Sequence, residues 1–297
     1  MKEISLKKWA LIGAALLVLG IVMAVIAEQN EWETETLAAA SPAEVAGVRV
    51  QTDDLEVRIY DGWSDDLEVD ASKSVRRRLR VFMDGDVLTV EEKSGWSLLS
   101  PFRNEGYLIV WLPADCGGYL SVTTAGGEIS LNGVTNEGLT AQLSASSGDI
   151  SAYDLVLGGL TAQSVSGDIY AGSIHIAGEA ELLSTSGYVS LYDSACGGAM
   201  IQTISGDMSL SGVTSAGTIS VYTTSGDLNG NVLDFSSLLT SSVSGDVWLE
   251  LEGAPEDYAV SVATVSGDVE GVTDRAEGER SLTVNTVSGD VTVSFGA

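Results

Sequence analysis

Residues 164–188 read SVSGDIYAGSIHIAGEAELLSTSGY and contain one complete unit of an internal repeat, from one Ser-x-Ser-Gly pattern to the next. The tripeptide Ser-Gly-Asp recurs seven times, Gly187 is the centre of a Ser-Gly-Tyr variant, and Gly127 is the centre of a degenerate first copy. Successive glycines of the series are 19 to 22 residues apart. A regular repeat of this length is typical of a solenoid, in which each unit is one coil.

Alternating apolar side chains surround each of these glycines. The second residue after the glycine is apolar in all nine copies, and the fifth and seventh residues before it are apolar in most copies. Because alternate residues of a strand point to one face, this spacing predicts a strand on each side of a glycine-centred turn. One unit buries too little apolar surface to offset its conformational entropy, whereas stacked units pair their strands. We therefore predict an all-β, single-stranded parallel β-helix with about 20 residues per coil.

Other repetitive β folds fit this period less well. A β-propeller needs about 40 residues for each four-stranded blade, and a β-sandwich has no reason to repeat one turn tripeptide. Calcium-binding nonapeptide rolls repeat two glycines and an aspartate in a unit of about half this length.

The chain divides into five predicted regions. Residues 1–8 contain three lysines, and the uncharged apolar run at residues 9–27 is long enough, at about 1.5 Å per helical residue, to span a bilayer. The cations before the run place residues 1–8 in the cytoplasm and the rest of the chain outside the cell membrane. After this transmembrane signal anchor we predict an acidic, Ala-rich linker at 28–46, an irregular β cap with the first coils at 47–115, and the regular β-helix at 116–297. Cleavage near Ala27, which would give a secreted protein, is the alternative.

The composition excludes several functional classes. The 297 residues include 14 Lys+Arg and 42 Asp+Glu, which gives a net charge of −28. Such an acidic chain repels phosphate backbones, so nucleic acid is not an expected partner. One histidine and two cysteines are too few for a His-based catalytic triad or a Cys/His zinc site.

The order of these features resembles a known bacterial family. A predicted anchor is followed by strands that end in Val110-Trp111-Leu112-Pro113, and then by a reiterated Thr/Ser-x-Ser-Gly-Asp-[Ile/Val] pattern. Over residues 45–297 this resembles the adhesin-like family of Ser-Gly-Asp-repeat β-helix proteins, relatives of autotransporter-like adhesin heads. The resemblance implies a right-handed β-helix and an association with the cell surface or with envelope stress, and it implies no catalytic residues.

The repeated turns supply the candidate site residues. The turn glycines are Gly148, Gly167, Gly187, Gly206, Gly226, Gly245, Gly267 and Gly289. The aspartates that follow them are Asp149, Asp168, Asp207, Asp227, Asp246, Asp268 and Asp290, with Glu128 in the first copy and Tyr188 as an interruption. We favour turn chemistry, in which the glycine adopts positive φ and the aspartate or serine binds a backbone amide. The alternative is a calcium ladder, in which carboxylates of adjacent coils share Ca²⁺, the one cofactor candidate.

Two further polar features have both a structural and a functional interpretation. They lie outside the column formed by the aspartates of the repeated turns, which we call the aspartate column. The Ser or Thr three residues before most of the turn glycines predicts structural hydroxyl ladders along the coils, with contact to a glycan as the alternative. Arg76-Arg77-Arg78-Leu79-Arg80 would place three arginines on one face of a strand. These arginines either pair with nearby acids such as Asp65, Asp66 and Asp70 or bind an anionic envelope polymer or lipid.

Three other features receive structural interpretations. The apolar loop at residues 96–102 is expected to pack over the end of the β-helix, and His175 is expected to be an ordinary exposed residue. Cys116 and Cys196 lie about four coils apart, roughly 19 Å at β spacing. A disulfide needs Cα atoms within about 7 Å, so we predict no bridge between them.

These observations predict a non-enzymatic, membrane-anchored extracytoplasmic module for adhesion, scaffolding or envelope-stress sensing. Its ligand on the envelope or surface, protein or glycan, is not identified by the sequence. A β-helical polysaccharide-active enzyme with paired aspartates as acid and base is an alternative, which the absence of Lys and Arg from residue 104 to 274 disfavours. A self-assembling surface filament, joined through the C-terminal coil, is another because that coil has no recognisable cap.

Overall fold

The structure is a computed structural model that describes residues 34–62, 65–93, 106–116 and 118–296. This part of the chain is all-β, with twenty strands in one sheet and three short 3-10 turns at Pro42–Glu44, Arg76–Arg78 and Pro255–Asp257. Within it, none of the helical segments has the length and apolarity needed to cross a membrane. The predicted anchor at residues 9–27 and the apolar loop at residues 96–102 both lie outside the described residues.

The strands become longer toward the middle of the chain, where β11 to β15 have 14 to 17 residues each. In chain order the strands are β1 (Thr34–Ala40), β2 (Gly47–Thr52), β3 (Glu56–Asp61), β4 (Leu67–Ser72), β5 (Leu79–Asp84), β6 (Val87–Glu92), β7 (Tyr107–Leu112), β8 (Gly118–Thr124), β9 (Ile129–Asn132), β10 (Thr135–Ala145), β11 (Ile150–Ser164), β12 (Ile169–Ser184), β13 (Val189–Gln202), β14 (Met208–Thr223), β15 (Leu228–Ser244), β16 (Val247–Glu252), β17 (Tyr258–Ser266), β18 (Val269–Glu270), β19 (Arg280–Ser288) and β20 (Val291–Gly296).

Each long strand follows three straight segments of one coil. In β11 these segments are residues 150–153, 155–157 and 160–164, and each pairs in parallel with the equivalent segment of β12. We call the three sides of the solenoid built by these segments face 1, face 2 and face 3. The same parallel pairing joins β12 to β13, β13 to β14 and β14 to β15. The predicted all-β parallel solenoid is confirmed, whereas its right-handed sense stays a prediction.

The core is built from the inward-pointing residues of every coil. In β11, Ile150, Leu155 and Leu160 represent the three faces, and each is at most 1% exposed. The equivalent side chains of β12 are Ile169, Ile174 and Ala180, which are buried as well. A buried aliphatic side chain contributes about 1.5 to 3 kcal/mol, so a core that continues from coil to coil stabilises units that cannot fold alone.

The turn glycines are required by the close stacking of the coils. A Cβ atom on Gly167 would lie 2.1 Å from the carbonyl oxygen of Gly148, and one on Gly206 would lie 1.9 Å from that of Gly187. Any side chain here would therefore overlap the preceding coil. Of the turn glycines, only Gly245 has a positive φ, and its value of 158° is close to extended backbone. The prediction that these glycines adopt a left-handed conformation is therefore wrong.

Left-handed backbone occurs instead at the corner between face 1 and face 2. This corner is formed on successive coils by Gly133, Asp154, Ser173, Asp193, Gly212 and Val232, whose φ angles lie between 47° and 71°. Gly, Asp and Ser tolerate this region, but a β-branched side chain crowds the backbone there. Val232 is therefore the strained member of the corner.

Replacing Val232 by asparagine is expected to raise the free energy of unfolding by about 1 kcal/mol, because asparagine adopts left-handed φ more easily. Little packing is lost, since Val232 is 41% exposed. Chemical denaturation of the two proteins measures the difference. Val243→Asn is the matched control, because Val243 is 50% exposed and is not among the residues with positive φ. A similar rise in the free energy of unfolding for Val243→Asn would show that relief of the positive φ at residue 232 is not the cause.

The last coils do not stack in chain order. On face 3, β19 lies between β15 and β17, and on face 1, β20 lies between β16 and β18. The chain thus reaches the end of the solenoid at β17 and β18 and then returns to insert its final strands further in. The expectation that the C-terminal residues form the outermost coil is wrong, because backbone pairing requires a matching strand and not the next one along the chain.

Residues 271–279, which connect β18 to β19, cap this end of the solenoid. The backbone N–H of Val260 donates to the carbonyl of Arg275 at 2.8 Å, and the N–H of Arg275 donates back to Val260 at 2.9 Å. The N–H of Val262 donates to Asp274 Oδ1 at 3.0 Å. These bonds cover part of the outer edge of β17, which would otherwise offer unpaired backbone to another chain. Self-association at this end stays a prediction, and it would involve the uncovered parts of β17 and β18.

The N-terminal end shows the same kind of insertion. β2 lies between β6 and β8, and β3 lies between β7 and β9. Antiparallel strands continue the sheet outward, since β5 pairs with β6, β4 with β7 and β1 with β4. Residues 34–40 were predicted to belong to the linker at 28–46, and this part of the prediction is wrong. Those residues form β1 because the outer edge of β4 offers them a pairing partner.

The arginine-rich segment does not form the predicted strand. Arg76–Arg78 make a 3-10 turn that leads into β5, so these side chains do not share one strand face. Arg76 pairs with Glu35 and Arg78 pairs with Glu92. The prediction of ion pairing is confirmed, with these two glutamates as partners. Binding of an anionic polymer or lipid by this segment stays a prediction.

The cysteines and the histidine take ordinary structural positions. Cys116 and Cys196 are both free thiols and both buried. Burial raises the pKa of Cys116 and raises that of Cys196 to about 11, so neither is a reactive thiolate near neutral pH. His175 is exposed on face 2, as predicted.

Candidate functional site

The aspartate column lies at the corner between face 3 of one coil and face 1 of the next. The backbone N–H of Asp168 donates to Asp149 Oδ1 at 2.8 Å, and the N–H of Tyr188 donates to Asp168 Oδ1 at 2.7 Å. The same contact joins Asp227 to Asp207 at 3.0 Å. Each of these carboxylates therefore satisfies a backbone amide of the neighbouring coil.

At the C-terminal end the aspartates are hydrogen-bonded in the order in which the coils stack, which differs from their order along the chain. The N–H of Asp290 donates to Asp246 Oδ1 at 2.8 Å, and the N–H of Asp268 donates to Asp290 Oδ1 at 2.9 Å. Tyr188 has no carboxylate to offer Asp207, so the column is interrupted between these two coils. The interruption follows directly from the sequence, whereas the order of the last two aspartates does not.

The geometry of the aspartate column bears on calcium binding. In six aspartates of the column, one carboxylate oxygen of each accepts a backbone hydrogen bond. These are Asp149, Asp168, Asp207, Asp227, Asp246 and Asp290. In the part of the chain that the structure describes, no three His, Cys, Asp or Glu residues are grouped so that they could hold a metal ion. Burial and the neighbouring carboxylates Glu56 and Asp149 raise the pKa of Glu128 at the head of the column. Calcium binding stays a prediction.

The Ser/Thr column forms the predicted hydroxyl ladder on the central coils, whereas Ser242 Oγ and Thr286 Oγ1 are buried without a hydrogen-bond partner among the described residues. Ser164 Oγ accepts the N–H of Gly167 at 2.9 Å and donates to the carbonyl of Gly148 at 3.2 Å. Equivalent pairs of contacts recur at Ser184 and Thr203. One hydroxyl therefore closes its own turn and ties that turn to the preceding coil, which is a structural role.

Asp227→Ala is expected to lower the free energy of unfolding by about 1 to 2 kcal/mol, because the N–H of Asp246 loses its acceptor at 2.8 Å. Asp227→Asn keeps an oxygen that can accept the same bond, so it should retain most of the stability. Thermal unfolding with calcium chloride and with EDTA measures both effects. A calcium-dependent rise in Tm that Asp227→Asn abolishes would contradict the turn interpretation and support the calcium ladder.

The outer surface of face 1 is a second candidate site. Two columns of outward-pointing residues run along it over the six coils between β9 and β15. The first column contains Ser130, Ser151, Tyr170, Ser190, Ser209 and Asn229. The second column contains Asn132, Tyr153, Gly172, Tyr192, Ser211 and Asn231. We call these two columns the face 1 platform; none of its residues is charged.

Aromatic rings pair across the coils of the face 1 platform. The rings of Tyr153 and Tyr192 have centroids 6.0 Å apart and are tilted by 44°. Gly172 lies between them in the sheet, and a Cβ atom there would lie 2.3 Å from Cζ of Tyr192. Tyr170 pairs with Tyr188 beside the platform, also at 6.0 Å. The glycine thus makes room for a tyrosine ring to lie over the sheet.

Aromatic residues continue the face 1 platform at both ends. Tyr60 and Trp111 extend the second column, with ring centroids 5.3 Å apart. Trp248 extends the first column and is 42% exposed. Partly exposed aromatic side chains therefore occur along most of face 1.

The face 1 platform is electrically neutral between two acidic edges. Burial and the neighbouring Tyr192 raise the pKa of Tyr153 to about 12. The Tyr170 hydroxyl donates a hydrogen bond to Asp168 Oδ2 at 3.0 Å, and this bond together with burial raises the pKa of Tyr170. Both phenols are therefore uncharged at neutral pH. The aspartate column forms one edge of face 1, and Asp154 and Asp193 lie at the opposite corner.

The sequence contains a signal for this platform in its uncharged, non-catalytic residues. The platform positions are the third and fifth residues after each turn glycine, for example Tyr170 and Gly172 after Gly167. In the repeats from Gly127 to Gly226 these positions hold only Ser, Asn, Gly and Tyr. Their contacts between coils depend on residues about 20 and 40 positions apart, which a single repeat does not reveal.

Comparison with known proteins identifies the fold. A family model described as Toastrack DUF4097 matches residues 46–294. A solved structure named "putative lipid binding protein" from Parabacteroides distasonis is 11% identical, with a TM-score of 0.54, covering 88% of this chain and 96% of that one. Another, named "putative adhesin" from Bacteroides fragilis, is 12% identical, with a TM-score of 0.50, covering 90% and 99%. At these identities the likeness shows the fold alone. Curated protein sequences give no match.

Proposed function

This chain belongs to the Toastrack DUF4097 family, and from that premise we propose that it is a non-catalytic recognition module outside the cell, held at the membrane by residues 9–27. The observation that carries the proposal is the face 1 platform, an uncharged aromatic surface on a chain with a net charge of −28. The strands beneath it pair on both sides, so its side chains project from a backbone that is held in place. A surface of this kind suits adhesion or scaffolding at the cell envelope.

The use of the carboxylates favours recognition over catalysis. A β-helical polysaccharide-active enzyme needs two carboxyl groups that act as acid and base on one bond. The aspartates of the repeat instead accept backbone amides of neighbouring coils, as Asp149 and Asp227 do at 2.8 Å. The solved structures that share the fold carry the names of an adhesin and a lipid binding protein, and those names support a surface role for this chain.

The position of β1 suits the proposed membrane anchor. Thr34 begins β1 at the N-terminal end of the solenoid, and the apolar run ends at Ala27. Seven residue steps reach at most about 25 Å, so the N-terminal end would stay next to the membrane. The remaining coils would then project the face 1 platform away from the membrane. If the module also senses envelope stress, it must contact a second component that passes the signal on.

The location is tested with the full-length chain, tagged at its C-terminus and expressed in bacteria. We expect the tag in the membrane fraction and, after removal of the outer layers of the envelope, its digestion by added protease. Release of the tagged protein from the membrane would indicate cleavage near Ala27 and support the secreted alternative. A tag that resists protease until the cells are lysed would refute the extracytoplasmic location.

The recognition role is tested with the full-length chain in detergent micelles. We expect it to capture components of a bacterial envelope preparation without changing them chemically. Incubation with envelope and plant polysaccharides, followed by an assay for new reducing ends, tests for catalysis. An increase in reducing ends above that of the heat-denatured protein would overturn the non-catalytic assignment.

A further inference from the structure

We infer that the face 1 platform binds an extended, uncharged polysaccharide, an inference that rests on the proposed recognition function. The platform combines a neutral surface, aromatic rings held in place and uncharged hydrogen-bonding side chains. Each of these features matches a property of a sugar chain without acidic groups.

The charge distribution selects a neutral ligand. No platform residue is charged over six consecutive coils, although the whole chain contains 42 Asp+Glu. The aspartate column lines one edge of face 1, and two acids, Asp154 and Asp193, lie at the opposite corner. An anionic polymer laid on the platform would be repelled from both sides, and a cationic one would be drawn to the edges and away from the centre. A neutral chain avoids both effects.

The tyrosines supply flat surfaces for sugar rings. Tyrosine combines a large apolar face with a polar tip and loses little conformational entropy on binding. Tyr153 and Tyr192 are already held 6.0 Å apart by their contact over Gly172. Tyr170 is held by its hydrogen bond to Asp168 at 3.0 Å. These rings need little further ordering to accept the apolar C–H face of a sugar.

The polar members of the platform are not explained by strand stability. Asparagine is disfavoured in strands, yet Asn132, Asn229 and Asn231 occupy straight segments of face 1. The amide of asparagine both donates and accepts hydrogen bonds, as do the hydroxyls of the platform serines. Side chains with this capacity match the hydroxyl groups of a sugar chain.

The dimensions favour a polymer over a single sugar. Six coils at a spacing of about 4.8 Å extend over about 24 Å along the solenoid. Tyr60 and Trp111 continue the second column on two further coils toward the membrane-proximal end. Weak contacts repeated along one chain add up through high effective concentration, so an extended glycan gains affinity that one sugar ring does not.

The test uses the full-length chain in detergent micelles on a glycan array. The array carries uncharged oligomers of cellulose, chitin, mannan and β-1,3-glucan beside anionic galacturonate and hyaluronate oligomers. We expect binding to at least one uncharged oligomer and none to the anionic ones. For that oligomer, the double variant Tyr153→Ala with Tyr192→Ala should raise Kd about tenfold or more. The double variant Tyr119→Ala with Tyr222→Ala, on face 3, is the matched control and should leave Kd unchanged.

One further double variant separates loss of the aromatic surface from misfolding. Tyr153→Phe with Tyr192→Phe preserves both rings and should keep Kd within a few-fold of the original. Equal Kd values for the wild type and the alanine variant, preference for the anionic oligomers, or no binding to any uncharged oligomer would each overturn the inference. The proposed recognition function would survive such a result if the chain still captured envelope components. It would fail separately if the tagged chain proved cytoplasmic.

Discussion

Gly206→Ala is expected to lower the free energy of unfolding by about 3 kcal/mol or more, although it adds only a single methyl group. The new Cβ atom would lie 1.9 Å from the carbonyl oxygen of Gly187 and 3.0 Å from Oγ1 of Thr203. The neighbour at 1.9 Å is backbone of the preceding coil, so neither atom can move without separating the two coils. In a solenoid, contacts between neighbouring coils supply most of the stability.

Gly198→Ala is the matched control for Gly206→Ala. Gly198 lies in β13, which is also paired with a coil on each side. An added Cβ atom there would lie 3.5 Å from the carbonyl oxygen of Thr218, which is an ordinary contact. Because alanine restricts the unfolded chain, this variant should be neutral or stabilising by up to about 1 kcal/mol. Urea denaturation followed by circular dichroism measures both. Equal losses in the two variants would show that the turn glycines have no special steric role.

Leu182→Asp is expected to destabilise the protein by about 4 kcal/mol or more, because it removes a buried aliphatic side chain and places a charge in the core. Leu182 lies on face 3 of β12 and is fully buried. Its neighbours across the sheet are Ala162 and Ile201, which are buried as well. No partner for a carboxylate occurs among these neighbours, so the new charge would have to stay unpaired or be protonated.

Leu183→Asp gives the comparison for Leu182→Asp at the next residue of the same strand. Leu183 points outward, and its neighbours across the sheet are Gln163 and Gln202. An aspartate there stays in contact with water and polar groups, so the loss should be within about 1 kcal/mol. Thermal and urea unfolding of the two variants measure the difference. Similar destabilisation by both substitutions would be incompatible with the assigned inward and outward faces.

The sequence alone is sufficient for the repeating part of the fold. The apolar residue two positions after each glycine becomes the inward residue of face 1, as Ile150 and Ile169 show. The Ser or Thr three positions before the glycine becomes the turn-closing hydroxyl, as Ser164 shows. These features are predictable because they depend on strand alternation and on hydrogen bonds within three residues.

The two ends of the solenoid were not predictable in the same way. The spacing of the last turn glycines widens to 22 residues, which is the one sequence signal that the final coils are irregular. It does not indicate that β19 inserts between β15 and β17, or that β2 inserts between β6 and β8. Backbone hydrogen bonds are the same for every strand of compatible register, so the choice of partner depends on how the whole end packs.

The candidate site shows the same division. Sequence reasoning identified the aspartate column and its interruption at Tyr188, because each belongs to one turn. The face 1 platform was missed, because the contact of Tyr153 with Tyr192 joins residues 39 positions apart across Gly172. The sequence by itself therefore determined the period, the inward residues and the hydroxyl that closes each turn, all of which are local. Only the tertiary structure decided the order of the terminal coils, the steric need for the turn glycines and the aromatic surface, because each depends on which coil lies above which.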